Sequence, residues 1–142
     1  MDKKESPKVI FISSPFRPVS KDPARAAEEL ADNIRLAKLA CEMVTLFGAM
    51  PLAPHLYFPQ FLDDDCPKDR ATGLHLGLEW VELSDELWVF GNRVSDGMAA
   101  EIARAKKMGI PVRNIPDPRE TIEMLMVRIM HKAKESEDKT HG

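Results

Sequence analysis

The stretch Val9-Ile10-Phe11-Ile12, followed at once by Ser13-Ser14-Pro15-Phe16-Arg17-Pro18, decides the fold. A continuous run of β-branched and aromatic residues is typical of a strand that is buried on both faces, as strands of a parallel sheet are. The serines and prolines that follow are turn-forming residues, so they end the strand. We therefore expect an inner strand that leads directly into a turn.

A long helix is predicted next, over about 23–47. Its apolar residues recur at intervals of three and four, and Gly48 is a natural residue to end it. The stripe consists of Ala27, Leu30, Ile34, Ala37, Cys41 and Val44. Residues 50–53 read as a short strand, and Pro51 favours the edge of a sheet or the end of a strand because proline has no N–H to donate.

The rest of the chain continues to alternate between helix and strand. A long, aromatic-rich connection over 54–70 is of the length that tends to be functional or to contain short helices. The elements predicted after it are a helix over about 70–83, the buried strand Glu86-Leu87-Trp88-Val89-Phe90, a turn over 91–96, a third helix over 97–108 closed by Gly109, a short strand over 110–112, and a last helix opened by Asp117 and Pro118 with the core stripe Ile122, Leu125, Met126, Ile129, Met130 and Ala133.

This alternation predicts an α/β fold: a single-domain, doubly wound (Rossmann-like) parallel sheet of four to five strands with helices on both faces. We expect the domain to cover residues 1–134 and residues 135–142 to form a disordered polar tail. Such sheets bind ligands at the carboxyl ends of their strands, near the point where the strand order reverses. Residues 13–17, 54–57 and 91–101 should converge there.

Composition limits the partners. The chain has 142 residues and a net charge of −3, which does not favour binding to a nucleic-acid backbone. No apolar run approaches the roughly 20 residues of a transmembrane helix, so we expect no membrane partner and a cytoplasmic location. Cys41 and Cys66 lie outside any zinc-type spacing, and Cys41 reads as a structural thiol.

Glu101 is the sharpest single feature. On a helical wheel it falls inside the arc of Met98, Ile102, Ala105 and Met108. A carboxylate on the buried side of a helix costs desolvation free energy unless it is paired or used. If Ser95 or Asp96 caps the helix, Glu101 is little more than one turn inside it, and its side chain tilts back toward the expected site. A structural pair with a nearby arginine is the ordinary alternative.

Other candidates are weaker. Asp96 and Gly97 read as a cap and a close-approach glycine, although an ordinary turn is the commoner meaning. Ser13, Ser14 and Arg17 have groups that could bind a phosphate or a sugar, but many turns contain such residues. The remaining alternatives concern a metal site and an aromatic surface. His55 and His75 with residues 63–65 match no zinc or EF-hand spacing, and Tyr57, Phe58 and Phe61 suit either base stacking or a subunit interface.

The segments IFISSPF (residues 10–16) and DGMAAEIARAKKMGIPV (residues 96–112) resemble the first-strand turn and the Gly-x-x-x-Glu helix of the nucleoside 2-deoxyribosyltransferase-like superfamily. The superfamily includes deoxyribosyltransferases and deoxynucleoside 5′-monophosphate N-glycosidases. The segments PHLYFPQFLDD, GLEW and ELWVFG resemble a small, poorly characterised bacterial and phage-borne branch of it. The resemblance covers roughly residues 8–113.

The resemblance implies roles for individual residues. Glu101 would be the catalytic nucleophile that attacks the anomeric carbon. Ser14, Pro15 and Phe16 would lie on the base or sugar side, and Asp96 and Gly97 near the 5′ end. The full predicted substrate-binding set is Ser13, Ser14, Pro15, Phe16, Arg17, His55, Tyr57, Asp96, Gly97 and Met98. We expect no cofactor and no metal, a nucleoside or nucleotide as the small-molecule partner, and a homo-oligomer.

One position departs from the pattern of the enzymes. They carry an aspartate that handles the leaving base, and Gly77 stands at the matching position. Glu79 lies on another helix face, and Asp85 and His55 are further candidates for the role. Three functions therefore stay open: an enzyme acting on N-glycosidic bonds, a binding module of the same fold that does not turn its ligand over, and a partner-binding domain that uses the aromatic loop.

Overall fold

The computed structural model describes residues 6–115 and 117–141, and in these residues strands and helices alternate. The elements are β1 (Val9–Ser13), α1 (Pro23–Leu46), β2 (Met50–Leu52), α2 (Pro54–Tyr57), a 3₁₀ helix (Phe58–Gln60), α3 (Pro67–Glu82), β3 (Glu86–Phe90), α4 (Asp96–Lys107), β4 (Val112–Ile115) and α5 (Pro118–His141).

The four strands form one parallel sheet in the order β2-β1-β3-β4. The chain goes from β1 outward to β2, crosses back, and continues through β3 to β4, so the strand order reverses between β1 and β3. β2 is an edge strand, as Pro51 predicted, while every residue of the inner strand β3 is buried. The predicted doubly wound α/β fold is confirmed.

Helices pack on both faces of the sheet because the inner strands are apolar on both sides. Ile10 and Ile12 of β1 pack with α1 residues, and α5 covers the same face through Ile122 and Leu125. Phe11 points to the opposite face and packs with residues of α3 and α4. Since side chains alternate along a strand, Ser13 lies on the same face as Phe11, toward α4.

The start of β4 and the start of α3 differ from the prediction for identifiable reasons. β4 begins at Val112 rather than at residue 110, because Pro111 has no N–H; its carbonyl instead accepts a hydrogen bond from the Leu87 amide at 2.9 Å. The predicted connection over 54–70 contains α2, the 3₁₀ helix and the first turn of α3, which begins at Pro67 rather than near residue 70.

α5 differs from the prediction in its core stripe and at its end. Ile122 and Leu125 pack against the core, but Met126, Ile129 and Met130 are exposed by 46%, 47% and 68%. The helix continues to His141 across residues predicted as a disordered tail; residue 142 lies outside the described residues. The Lys- and Glu-rich composition of this segment favours a helix even without burial. No helix among the described residues is long and apolar enough to span a membrane.

Candidate functional site

A cavity of about 650 Å³ opens at the carboxyl edge of the sheet. The segments that follow β1, β2 and β3 contribute to its wall, as do residues of α3 and the first turns of α4. It therefore lies where the strand order reverses between β1 and β3, the position expected of a ligand site in a doubly wound sheet.

Glu101 lies in the wall of this cavity and is hydrogen-bonded to the end of strand β1. The Ser13 hydroxyl, at the end of β1, donates a hydrogen bond of 2.8 Å to Oε1 of Glu101. Ser13 is fully buried, so this bond fixes one carboxylate oxygen against the core face. Glu101 forms no ion pair with any described residue, and the arginine three positions on, Arg104, pairs with Glu82 instead.

The other oxygen of Glu101 is open to the cavity. Oε2 has no hydrogen-bond partner among the described residues, and no side-chain nitrogen or oxygen there is both fully buried and unpartnered. Solvent must therefore reach Oε2 from the cavity. Burial raises the pKa of Glu101 from 4.5 to about 7, and the hydrogen bond from Ser13 opposes this rise. An open carboxylate with such a pKa is typical of a functional acid or nucleophile.

The start of α4 explains why Glu101 points into the cavity. Ser95 is the N-cap, and its hydroxyl oxygen accepts a hydrogen bond from the Met98 amide at 3.2 Å. Asp96 is thus the first helical residue rather than the cap, which settles the alternative that the sequence left open. Gly97 lies beside Leu74 of α3, and a Cβ at position 97 would meet it at an ordinary contact distance of 3.7 Å. Glu101 follows one turn later on the side that faces β1.

A second polar pair faces the same cavity. The Ser14 hydroxyl and Nε2 of His55 lie 2.7 Å apart, and the imidazole packs edge-on against the ring of Phe16 at 6.1 Å between centroids. Burial lowers the pKa of His55 to about 4, so the imidazole is neutral at physiological pH. This pair joins the segment after β1 to the segment after β2.

The cavity rim carries a network of charges. Asp64 forms an ion pair with Arg17 at 3.3 Å and accepts a hydrogen bond from Arg70 at 3.4 Å. Arg93 donates to the backbone carbonyl of Arg17 at 3.0 Å. All three arginines line the cavity. Such partly exposed pairs contribute little to stability. They do connect the segments that follow β1 and β3 to the loop before α3.

The structure brings most of the predicted site residues together. The cavity wall contains Ser14, Phe16, Arg17, His55, Asp96, Gly97, Met98 and Glu101. Ser13 lies beneath the wall and contacts Glu101. Pro15 packs beside Gly91, where an added Cβ would lie 3.1 Å from it. The structure does not bring Tyr57 into the cavity: it is half exposed and stacks on Trp80 instead.

The other acidic candidates do not reach the cavity. Gly77 lines it, whereas Glu79 is exposed on α3 and is absent from the wall. Asp85 accepts a hydrogen bond from the Val9 amide at 2.7 Å, at the opposite end of β1. His75 is exposed and also lies outside the wall. The described residues contain no group of three or more His, Cys, Asp or Glu side chains arranged to hold a metal ion.

Some residues of the cavity wall carry no clear signal in the sequence. Arg93 lies in a segment that was expected to converge on the site, but a single arginine in a turn gives no signal of its own. Arg70 reaches the wall at the end of the 54–70 connection, and its only sequence signal is the unusual length of that connection. Phe58, a candidate for base stacking or a subunit interface in the sequence, also lines the cavity.

Comparisons with known proteins establish a family and a fold. The sequence model described as Domain of unknown function (DUF7768) matches residues 8–115. No curated protein matches the chain. Among solved structures, the chain is similar to a 2-deoxyribosyltransferase from the psychrotolerant bacterium Bacillus psychrosaccharolyticus, with a TM-score of 0.56 and 18% identity over 75% of this chain and 70% of that chain. That enzyme is described as a biocatalyst for the synthesis of antiviral and antitumoral nucleosides. At this identity the likeness establishes the fold.

Proposed function

The chain belongs to the family of the Domain of unknown function DUF7768, and we propose that it cleaves or transfers the N-glycosidic bond of a nucleoside or nucleotide, with Glu101 as the nucleophile. One observation carries the proposal: Glu101 holds one oxygen against Ser13 and leaves the other open to a large cavity at the switch point of the sheet. A buried carboxylate that serves only the fold would have both oxygens paired.

The proposed reaction has two steps. In the first, Oε2 of Glu101 attacks the anomeric carbon, the C–N bond breaks, and its electron pair leaves with the base. In the second, water or the ring nitrogen of another base attacks the same carbon, and the carboxylate of Glu101 departs. The hydrogen bond from Ser13 keeps Oε1 in place throughout, so that only Oε2 has to reach the substrate.

The cavity suits a ligand of this class. Its volume of about 650 Å³ is within the range of small-molecule sites, roughly 300–1,000 Å³. Apolar walls from Phe16, Phe58 and Met98 suit the faces of a base, while Ser14 and His55 provide hydrogen-bonding groups. The fold likeness to a deoxyribosyltransferase supports the same assignment.

A second candidate function is a binding module that holds a nucleotide-like ligand without turning it over. Gly77 favours it, because this cavity residue has no side chain where the enzymes that the sequence resembles carry an acid. Protonation of a leaving group typically supplies a factor of about 10² to 10⁴ in rate. If nothing replaced that acid, turnover would be slow.

The test is a panel of ribo- and 2′-deoxyribonucleosides and their 5′-monophosphates, with free base measured by liquid chromatography. The proposal predicts release of base by the wild-type protein and none above background by Glu101→Gln. Glu79→Gln is the matched control, since it makes the same change on an exposed face of α3. No release by the wild type, together with a panel member that raises its melting temperature, would favour the binding module.

A further inference from the structure

The space that an acid at position 77 would occupy adjoins the first turn of α2. A Cβ built on Gly77 would lie 3.7 Å from Cγ of Pro54, an ordinary contact distance. Pro54 also lines the cavity, and His55 is the next residue in the chain. The part of the cavity that lacks a side chain from α3 is thus bordered by Pro54 of α2, and the residue after it, His55, lines the same cavity.

His55 is held in one orientation. Its Nε2 lies 2.7 Å from the Ser14 hydroxyl oxygen, and its ring lies edge-on to Phe16 at an interplanar angle of 84°. Two contacts on different sides therefore fix the ring. A group on a packed, hydrogen-bonded side chain is better placed for chemistry than one on a freely rotating side chain.

The other ring nitrogen of His55 is available to a ligand. Nδ1 has no hydrogen-bond partner among the described residues, and no unpartnered side-chain nitrogen there is fully buried. The Ser14 hydroxyl likewise has no other acceptor among those residues. If Ser14 donates to Nε2, its own hydrogen is satisfied and the proton of the neutral ring lies on Nδ1. The neutral ring then carries an N–H donor at Nδ1, on a residue that lines the cavity.

We propose that His55 takes the place of the missing acid and donates a hydrogen bond from Nδ1 to the departing base, an assignment that rests on the proposed function. The donor strengthens its interaction as the C–N bond breaks, because negative charge then accumulates on the base. The ring keeps its proton, and the released base takes one from water. Ser14 is the positioning residue, since its hydroxyl sets the tautomer.

The electrostatic state of His55 agrees with this role. Its low pKa, caused by burial, keeps the imidazole neutral over the pH range in which Glu101 ionises. A neutral imidazole is a hydrogen-bond donor that can polarise a substrate without carrying a charge. The inferred substrate is therefore a nucleoside or nucleotide whose base has a ring-nitrogen or carbonyl acceptor within reach of the cavity wall.

The experiment compares two leaving groups. In a guanine nucleoside the base leaves as an anion, which needs a hydrogen-bond donor. In a 7-methylguanine nucleoside the base already carries a positive charge, so it leaves as a neutral molecule. His55→Leu should lower kcat on the guanine nucleoside by about 10²-fold more than it lowers kcat on the 7-methylguanine nucleoside, because only the first needs the donor. His55→Asn keeps an N–H near the position of Nδ1 and should retain most of the activity.

The outcomes separate the inference from the proposed function. Equal losses on both substrates in His55→Leu, or a His55→Asn protein as inactive as His55→Leu, would overturn the role of His55 while leaving Glu101 as the nucleophile. No release of base by the wild type from any member of the panel, with ribo- and 2′-deoxyribonucleosides and their 5′-monophosphates all tested, would overturn the proposed function and this inference with it. Thermal unfolding of each variant checks that the comparison is made on folded protein.

Discussion

Replacing Glu101 by glutamine should stabilise the protein in a pH-dependent way. The pKa of Glu101 is raised from 4.5 to about 7 because the carboxylate is desolvated. The folded protein therefore binds the proton of Glu101 more tightly than the unfolded chain does. The contribution of Glu101 to stability is fully present below pH 4.5, where this group is neutral in both states, and is lost as the pH rises through about 7.

The magnitude follows from the two pKa values. The two pKa values differ by about 2.5, and a difference of one corresponds to 1.36 kcal/mol. Ionisation of the carboxylate therefore lowers the free energy of unfolding by about 3 kcal/mol at pH 8. Glutamine carries no charge, and its amide oxygen can still accept the hydrogen bond from Ser13. Glu101→Gln should thus be more stable than the wild type by about 3 kcal/mol at pH 8, or roughly 10 °C in Tm for a chain of this size.

Urea unfolding at pH 4.5 and at pH 8 measures the effect. The difference between wild type and Glu101→Gln should be near zero at the lower pH and reach its full value at the higher one. Glu79→Gln serves as the control, because its side chain is exposed on α3. A stability difference that is the same at both pH values would refute the claim that Glu101 is a buried, desolvated carboxylate.

Three further predictions concern the pH dependence of activity and the binding of a ligand. Because the nucleophile must be ionised, kcat/KM for base release should fall about tenfold per pH unit below pH 7, in a pH–rate profile of the wild type. Ser13→Ala removes the hydrogen bond that opposes the rise in the pKa of Glu101, so the acidic limb of the same profile should move to higher pH; an unmoved limb would contradict this role of Ser13. Gly77→Leu should fold, since helix propensity improves and a Cβ at position 77 meets only ordinary contacts, but it should weaken ligand binding at least tenfold by calorimetry, because its side chain fills the cavity.

The sheet could be predicted from the sequence because its inner strands are unambiguous. A run such as Val9-Ile10-Phe11-Ile12 has one stable environment, a strand covered on both faces, and the structure places it there. Pro51 fixed the edge position of β2 for a similarly local reason. Glu101 could also be placed, since the helical wheel and the predicted parallel sheet together direct its side chain toward the carboxyl edge of the sheet.

The rest depended on contacts between segments far apart in the chain. Tyr57 and His55 lie in the same short helix, yet one stacks on Trp80 outside the cavity and the other binds Ser14 inside it. No local pattern separates two such neighbours. The exposed Met126 and Met130 illustrate the same limit, because periodicity predicts an apolar face but not what covers it.

Trapping of the covalent intermediate tests the assignment of Glu101 most directly. A 2′-fluoro substituent slows both steps, because it destabilises their oxocarbenium-like transition states. A 2′-fluoro nucleoside with a readily departing base should therefore form the glycosyl-enzyme faster than it is resolved, and the glycosyl group should remain on the protein. Mass spectrometry of the digested protein should show the added sugar on the peptide that contains Glu101, and no adduct should form on Glu101→Gln. Steady release of base without an adduct, or an adduct on any other residue, would contradict the account.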